Sequence, residues 1–415
     1  MTQQSLLRSL FDEAVRVADP MICVPAHLPP KPDGKLLVIG AGKASARMGE
    51  ALEKTWGPCN GLIITRYGYE RPLQGITLKS ASHPVPDEAG LQATRELRAL
   101  LDKADENTFI LALISGGGSS LMIDPAGQMT LAEKQAVNQA LLASGAPIDE
   151  MNVVRKHLSR VKGGQLAASA YPATLHALMI SDVPGDDPAY IASGPTVGDT
   201  STPEDARAII DRYGIALPAS AKAVLDSETG VIPPGDKRLS RTTNTIIAAP
   251  SQSLDAAKKI AEAEGLDVTI LGDALEGEAR DLAREQGALA LKMQGEITKP
   301  HLLLSGGECT VTRTGDGVGG PNAEYALSLA IALDGAPGIH ALACDTDGVD
   351  GAAEVAGAMV APDTLATAQA KGIDPAASLA NNDAHSFFAS IASQVITGPT
   401  LTNVNDFRAI LIEPA

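Results

Sequence analysis

Short apolar runs alternate with amphipathic stretches along this chain. Leu36–Ile39, Leu62–Thr65, Phe109–Ile114 and Leu175–Ile180 have the length and apolar content of buried strands. Between them, Ala44–Lys54, Glu88–Leu101, Leu131–Ala143 and the stretch after Asp149 repeat apolar residues at helical spacing. This βαβ rhythm predicts parallel sheets covered by helices. Residues 226–241, DSETGVIPPGDKRLSR, interrupt it with a polar passage containing Pro233-Pro234-Gly235, which predicts a domain boundary. The pattern then restarts with strand Thr245–Ala248, helix Leu254–Ala263, strand Asp267–Leu271, helix Glu278–Lys292 and strands Leu302–Leu304 and His340–Cys344. The fold class expected is α/β: two domains, residues 1–240 and 241–415, each with a mainly parallel sheet flanked by helices, the first Rossmann-like.

Composition narrows the function. Of 415 residues 44% are hydrophobic, which excludes disorder as a class, and the net charge is 33 − 50 = −17. So acidic a chain is a poor partner for nucleic acid, and any basic cluster within it is informative. The apolar runs are too short to span a bilayer. Residues 1–19 mix Arg8, Asp12, Glu13 and Arg16 into an amphipathic pattern and read as a first helix, not a secretory leader. Cys23, Cys59, Cys309 and Cys344 form no C-x-x-C pair and no Cys/His zinc spacing, so reduced thiols and a cytoplasmic location are expected.

Candidate chemistry sits where apolar runs end. Ser115-Gly116-Gly117-Gly118-Ser119-Ser120 follows a strand and suits an anion-binding nest, although a plain strand–helix turn is the other reading. Gly40-Ala41-Gly42-Lys43-Ala44-Ser45 is an incomplete dinucleotide fingerprint: Ser45 stands where the third glycine belongs, and the next strand ends Ile64-Thr65-Arg66 without an acid. It does set Lys43 at a helix start, where it can neutralise a transferring phosphoryl group. Asn152, Arg155, Lys156, His157 and Lys162 concentrate positive charge for a carboxylate or phosphates, or else form a solvated basic helix. Asp182, Asp186 and Asp187 on a Pro/Gly loop suit a base or a Mg²⁺ ligand, as well as ordinary turns. In the second half, Glu308 in SGGE, Asn322, and Asp345 and Asp347 in DTDGVDG suggest a carboxylate-lined nucleotide site; the EF-hand spacing is not met. Asp383 in Asn381-Asn382-Asp383-Ala384-His385 reads as a helix N-cap. Strand ends from both halves predict one cleft between the domains.

Taken together, GAGKAS at 40–45, SHPVPD at 82–87, SGGGSSL at 115–121, NVVRKHLSRVKGG at 152–164, SDVPGDDPAYIASGPT at 181–196, SGGE at 305–308 and DTDGVDG at 345–351 resemble the glycerate 2-kinases whose C-terminal part is called the MOFRL domain. The resemblance covers nearly the whole chain. It implies two α/β domains with the active site between them, and phosphorylation of D-glycerate by ATP and Mg²⁺ to 2-phosphoglycerate. Lys43 matches the lysine that the family places in the cleft. With it, the loops read above are expected to supply Asp182 and Asp186 for catalysis, Ser115–Ser120 and Asn152, Arg155, Lys156, His157 and Lys162 as substrate and phosphate contacts, Glu308, Asn322, Asp345 and Asp347 on the second domain, and Asp187 and Asp347 as metal ligands, with Asp182, Asp186 and Asp187 each open to the role of base or Mg²⁺ ligand. A homodimer is a candidate assembly. One departure is visible: many members carry an arginine in G-G-R-N-x-E, where this chain has Pro321. Arg155, Lys156 or Arg313 remain as sources of that charge. Members have also been labelled NAD(P)H-dependent hydroxypyruvate reductases, which is the alternative activity; a binding module without chemistry is disfavoured by the clustered aspartates.

Overall fold

A computed structural model describes residues 2–415 apart from Glu228 and Ala352, and the backbone but not the side chain of Pro184. Met1 of the expected first helix and Glu228 of the expected boundary passage therefore lie outside the described residues, as does the Pro184 side chain of the aspartate loop. The chain divides into two compact units, Pro20–Ser181 with Asp186–Ile247, and Met1–Asp19 with Asp182–Gly185 and Ala248–Ala415.

The first unit is built on six strands: β1 (Lys35–Ala41), β2 (Gly61–Arg66), β3 (Ile76–Ala81), β4 (Thr108–Ile114), β5 (Thr174–Ile180) and β6 (Thr242–Ala248). They are ordered β3-β2-β1-β4-β5-β6, and the pairs from β3 through β5 are parallel. This is the doubly wound order, which reverses direction between β1 and β4; ligands in such sheets bind beyond the strand ends at that reversal. The segments there are Gly42–Ser45 and Ser115–Ser120. The expected second-domain strand Thr245–Ala248 is instead the edge strand β6 of this first sheet. Its apolar run carried no mark of which sheet it joins.

The second unit holds β7 (Asp267–Glu278), β8 (His301–Thr310), β9 (Ile339–Asp345), β10 (Gly357–Val360), β11 (Gln394–Val395) and β12 (Asp406–Ile412), ordered β11-β10-β9-β12-β8-β7. Here the expectation of a mainly parallel sheet fails: β7 and β8 run parallel, but β12 lies antiparallel to both β8 and β9, and β10 is antiparallel to β9 and β11. β12, between β8 and β9, and β10, between β9 and β11, run against their neighbours and mix the sheet. Alternate residues of β12 feed two cores. Ile410 and Ile412 join the helices Ala279–Gln294 and Pro321–Leu333, while Phe407, Ala409 and Leu411 join Leu254, Ala257 and Ala261 of the helix Pro250–Ala263.

The second of these cores also contains the stripe Leu6, Leu7, Leu10, Phe11 and Ala14 of the helix Gln3–Ala18, with the Phe11 and Phe407 rings 5.9 Å apart. The first helix thus belongs to the unit formed by the end of the chain. Ser253 Oγ donates to the carbonyl of Ala14 at 2.7 Å and Thr402 Oγ1 to that of Ala18 at 2.8 Å, which fixes the helix on that face.

Two buried glutamates organise the turn region beside β2. Glu53 accepts the backbone N–H groups of Cys59, Gly75 and Ile76 at 3.1, 2.7 and 3.0 Å, and that of Gln74 as well. Glu50 is held by Arg71, Arg47 and Lys54. Burial pushes both carboxyls up, but the hydrogen bonds outweigh it, leaving Glu53 below its ordinary 4.5 and Glu50 at about 2. Because the folded pKa values are depressed, the stabilisation is present above pH 4.5 and is lost as pH falls toward 2. The urea midpoint of the protein is expected to drop across that window, and to drop less steeply in Glu53→Gln; equal slopes would remove Glu53 from the account.

Candidate active site

Four backbone N–H groups at the turn after β1 are consumed by the protein itself. Gly42 N–H donates to the carbonyl of Ile64 at 3.1 Å, Lys43 N–H to that of Gly116 at 2.8 Å, Ala44 N–H to Ser115 Oγ at 3.0 Å and Ser45 N–H to the carbonyl of Gly42 at 3.3 Å. Ser45 Oγ donates to the carbonyl of Leu113 and also meets Ser115 Oγ. The two strand-end segments are thereby laced together. A Cβ on Gly42, whose φ is +148°, would sit 2.0 Å from Ser115 Oγ, so this contact requires glycine. Ser115, expected to face a ligand, is buried and spent on this lacing. The amides of Ser115, Gly118 and Ser120 are likewise bonded within the chain, and the helix that follows, Gly118–Leu121, is only four residues long.

Gly117, Ser119, Ser120, Arg155 and Lys162 line one cavity of about 630 Å³ in the first unit. Lys43 and His83 reach its edge: a Cβ on Gly117 would lie 3.2 Å from Lys43 Cγ and 3.0 Å from the His83 ring. Lys162 donates to the carbonyl of Ser119 at 2.6 Å and to Ser119 Oγ at 3.0 Å; Ser119 Oγ also meets Ser193 Oγ at 2.8 Å. Asn152 Oδ1 accepts from Arg155 and from Ser193, both at 3.4 Å, and so joins the basic helix to the wall.

The rest of the cavity comes from a helix that sequence reasoning did not single out as a site and from the SHPVPD segment, which it did. The helix Leu131–Ala143 contributes Lys134, Gln135, Asn138, Gln139 and Leu142, and the segment 83–86 contributes His83, Pro84, Val85 and Pro86. Lys134 shares its helix face with Val137 and Leu141, all three buried. A lysine on an apolar stripe was the signal available. Burial, and then neighbouring Arg155, push the Lys134 amine down to about 7; burial with Lys134, Arg155 and Lys156 pushes Lys162 well down, and burial lowers Arg155. No Asp or Glu is among the described residues lining this cavity. A cluster of buried like charges is costly by itself and is relieved by an anion.

Other expected site residues lie elsewhere. Lys156 pairs with Asp199 and stacks over Tyr190, 5.1 Å from the ring centre. His157 is fixed by Thr229 at 2.6 Å and Ser201 at 3.1 Å. Neither lines the cavity: one helix turn cannot aim 155, 156 and 157 the same way. Asp187 is exposed and accepts the N–H of Ala189, while Asp186 has φ +55°. Asn403 Nδ2 donates to Asp182 Oδ2 at 3.4 Å.

In the second unit, SGGE is not a loop. Ser305–Glu308 runs inside β8, where a Cβ on Gly307 would lie 2.2 Å from the carbonyl oxygen of Leu275, so close strand approach explains the glycine. Glu308 is exposed. Asn322 is buried between Asp406 Oδ1, at 2.6 Å, and Asp350, a structural position. Asp345 Oδ1 accepts the Asp347 N–H at 2.8 Å and Asp347 Oδ1 that of Val349 at 2.9 Å, so the DTDGVDG acids build their own turn. Asp383 occupies an N-cap position but gives its side chain to Val318 N–H instead of its own helix. No group of three His, Cys, Asp or Glu placed to hold a metal occurs among the described residues.

Residues 6–226 match the family model described as a domain of unknown function (DUF4147), and residues 301–406 match the MOFRL family. The D-glycerate 2-kinase of Thermotoga maritima is 38% identical, the match covering 99% of this chain and 98% of that protein. This chain belongs to the glycerate 2-kinase family with a C-terminal MOFRL domain. A crystal structure of a glycerate kinase from Thermotoga maritima superposes with a TM-score of 0.90 at 37% identity, covering 98% of this chain and 99% of that one. A family relative from Agrobacterium vitis, provisionally named hydroxypyruvate reductase, is 51% identical over 99% of this chain and 95% of its own length. Within this family the two names therefore have to be separated by the site.

Proposed function

We propose that this protein is a glycerate kinase that transfers the γ-phosphoryl group of ATP to the 2-hydroxyl of D-glycerate, giving 2-phosphoglycerate and ADP. The observation that carries this reading is the cavity at the sheet reversal, where Lys134, Arg155 and Lys162 meet without a carboxylate in a chain of net charge −17. Phosphoryl transfer asks for positioning and neutralisation of charge more than for covalent chemistry. Lys162 and Ser119 are already hydrogen-bonded to one another and offer a fixed pair of donors. Lys43, at the cavity edge, takes the charge that develops on the transferring group. Asp182, with Asp186 as second choice, accepts the proton released when the 2-hydroxyl oxygen bonds to phosphorus. Mg²⁺ usually keeps several waters and binds through substrate phosphates plus one or two carboxylates. Asp187, an exposed single carboxylate of the first unit, fits that mode, and a dedicated protein cage is not needed. The ion neutralises phosphate oxygens when it is bound.

The reductase reading is favoured by the name of the Agrobacterium vitis relative. Against it stands the turn after β1: a dinucleotide pyrophosphate is held by backbone N–H groups that here are already bonded within the protein. The two readings separate in one experiment. Purified protein with D-glycerate, ATP and Mg²⁺ is expected to release ADP only when glycerate is present, and to leave NAD(P)H unchanged with hydroxypyruvate. NAD(P)H oxidation without ADP release would reverse the assignment.

A further inference from the structure

Glycerate has three carbons and little apolar surface, and would fill a small part of the cavity of about 630 Å³. The cavity instead has two chemically distinct ends. Its rim carries Pro84, Val85, Pro86 and Leu142, which together make an apolar edge; Val85 is 60% and Leu142 66% exposed. Its floor carries Lys134 and Lys162, each 2% exposed, and Arg155. Lys134 Nζ has only carbonyl contacts among its described hydrogen bonds, those of Arg155 and Leu158, both at 3.5 Å. One turn further along the same helix, Asn138 Oδ1 is buried with no hydrogen-bond partner among the described residues. A ligand that suits this cavity has a flat, weakly polar body, a donor for Asn138 and a multiply charged anionic tail.

We infer that this cavity is the nucleotide subsite, with the base against Val85, Pro86 and Leu142, a base or ribose donor on Asn138 Oδ1, and the phosphate tail on Lys134, Arg155 and Lys162. The inference rests on the kinase reading and assigns which substrate the first unit holds. It makes Lys134 and Leu142 determinants of nucleotide affinity, and it leaves the hydroxy acid to other contacts.

Calorimetric titration of the full chain with MgATP, inorganic tripolyphosphate and D-glycerate, each alone, tests it. Lys134→Met is expected to weaken ATP and tripolyphosphate by about tenfold or more, as for a lost hydrogen bond to a charged group, with glycerate affinity within twofold of wild type. Val85→Ser combined with Leu142→Gln is expected to weaken ATP about fivefold or more while leaving tripolyphosphate unchanged, because only the base touches the rim. Both rim residues are exposed, so this variant is expected to fold even if the buried Lys134→Met does not; circular dichroism and the urea midpoint check both. Weakened glycerate binding with ATP unaffected would give the floor to the hydroxy acid and overturn the inference, as would ATP affinity unchanged in the rim variant. If the wild-type chain phosphorylates glycerate while the variants bind ATP normally, the inference alone has failed. If the wild-type chain neither binds ATP nor releases ADP, the kinase reading has failed with it.

Discussion

Replacing Lys43 with alanine is expected to lower kcat for glycerate-dependent ADP release by about 100- to 1000-fold, the range seen when one preorganised donor to developing charge is removed. KM for both substrates is expected to stay within a few-fold, because a group that acts mainly on the transition state contributes little to ground-state binding. The geometry behind this is the lacing of two strand ends. The Lys43 N–H is tied to the carbonyl of Gly116, and its flanking residues are tied to Ser115 and Gly42, so the backbone from which the side chain leaves has a fixed position beside Gly117. Lys43→Arg tests the demand on position: it retains the charge, but a longer planar head beside Gly117 restores little of the rate. An unchanged kcat in Lys43→Ala removes this residue from the chemistry.

Asp350→Ala is expected to destabilise the second unit by about 2–6 kcal/mol, the cost of leaving two buried N–H groups without an acceptor. Asp350 accepts the N–H groups of Asn322 and Ala323 at 2.9 and 2.8 Å and the Asn322 amide at 3.3 Å, and His385 Nε2 lies 3.0 Å from its Oδ2. It therefore does from a distance what the N-cap residue of the helix Pro321–Leu333 cannot do, since that residue is Gly320. The glycine is required in turn: a Cβ on Gly320 would lie 2.4 Å from Asp350 Cγ. The alanine variant leaves two buried backbone amides without their acceptor, while His385 Nε2 keeps the backbone carbonyl of residue 350 at 3.1 Å. Urea unfolding followed by circular dichroism measures the loss, and Asp350→Asn, which keeps one acceptor oxygen, is expected to lose less. A midpoint equal to wild type would refute the capping role.

These cases show where sequence reading succeeds and where it stops. β1, β2, β4 and β5, and the helices Glu88–Leu101 and Leu131–Ala143, were legible because each is a local apolar pattern of one period. β12 was not. Its run begins Asp406-Phe407-Arg408, and the two buried charges satisfy each other, Arg408 with Asp406, a pairing that composition cannot display. The glycines of SGGE and the acids of DTDGVDG look like ligand chemistry in one dimension, but in the fold several serve close backbone approach, turns and a remote helix cap. Ser119, Arg155 and Lys162, which line the candidate cavity, stand in motifs that the sequence displays. Lys134 and Asn138 were not, because their meaning comes from what faces them across the cavity.

The packing of the helix Gln3–Ala18 against Leu254 and Phe407 has a consequence for how the polypeptide is made. Ala18 precedes Ala248 by 248 − 18 = 230 residues, so this helix leaves the ribosome long before the strands and helix that bury its leucines exist. During synthesis the intervening unit can collapse around its own parallel sheet while the first helix still carries an uncovered apolar stripe. A segment translated before the intervening unit is thus buried only after that unit is complete.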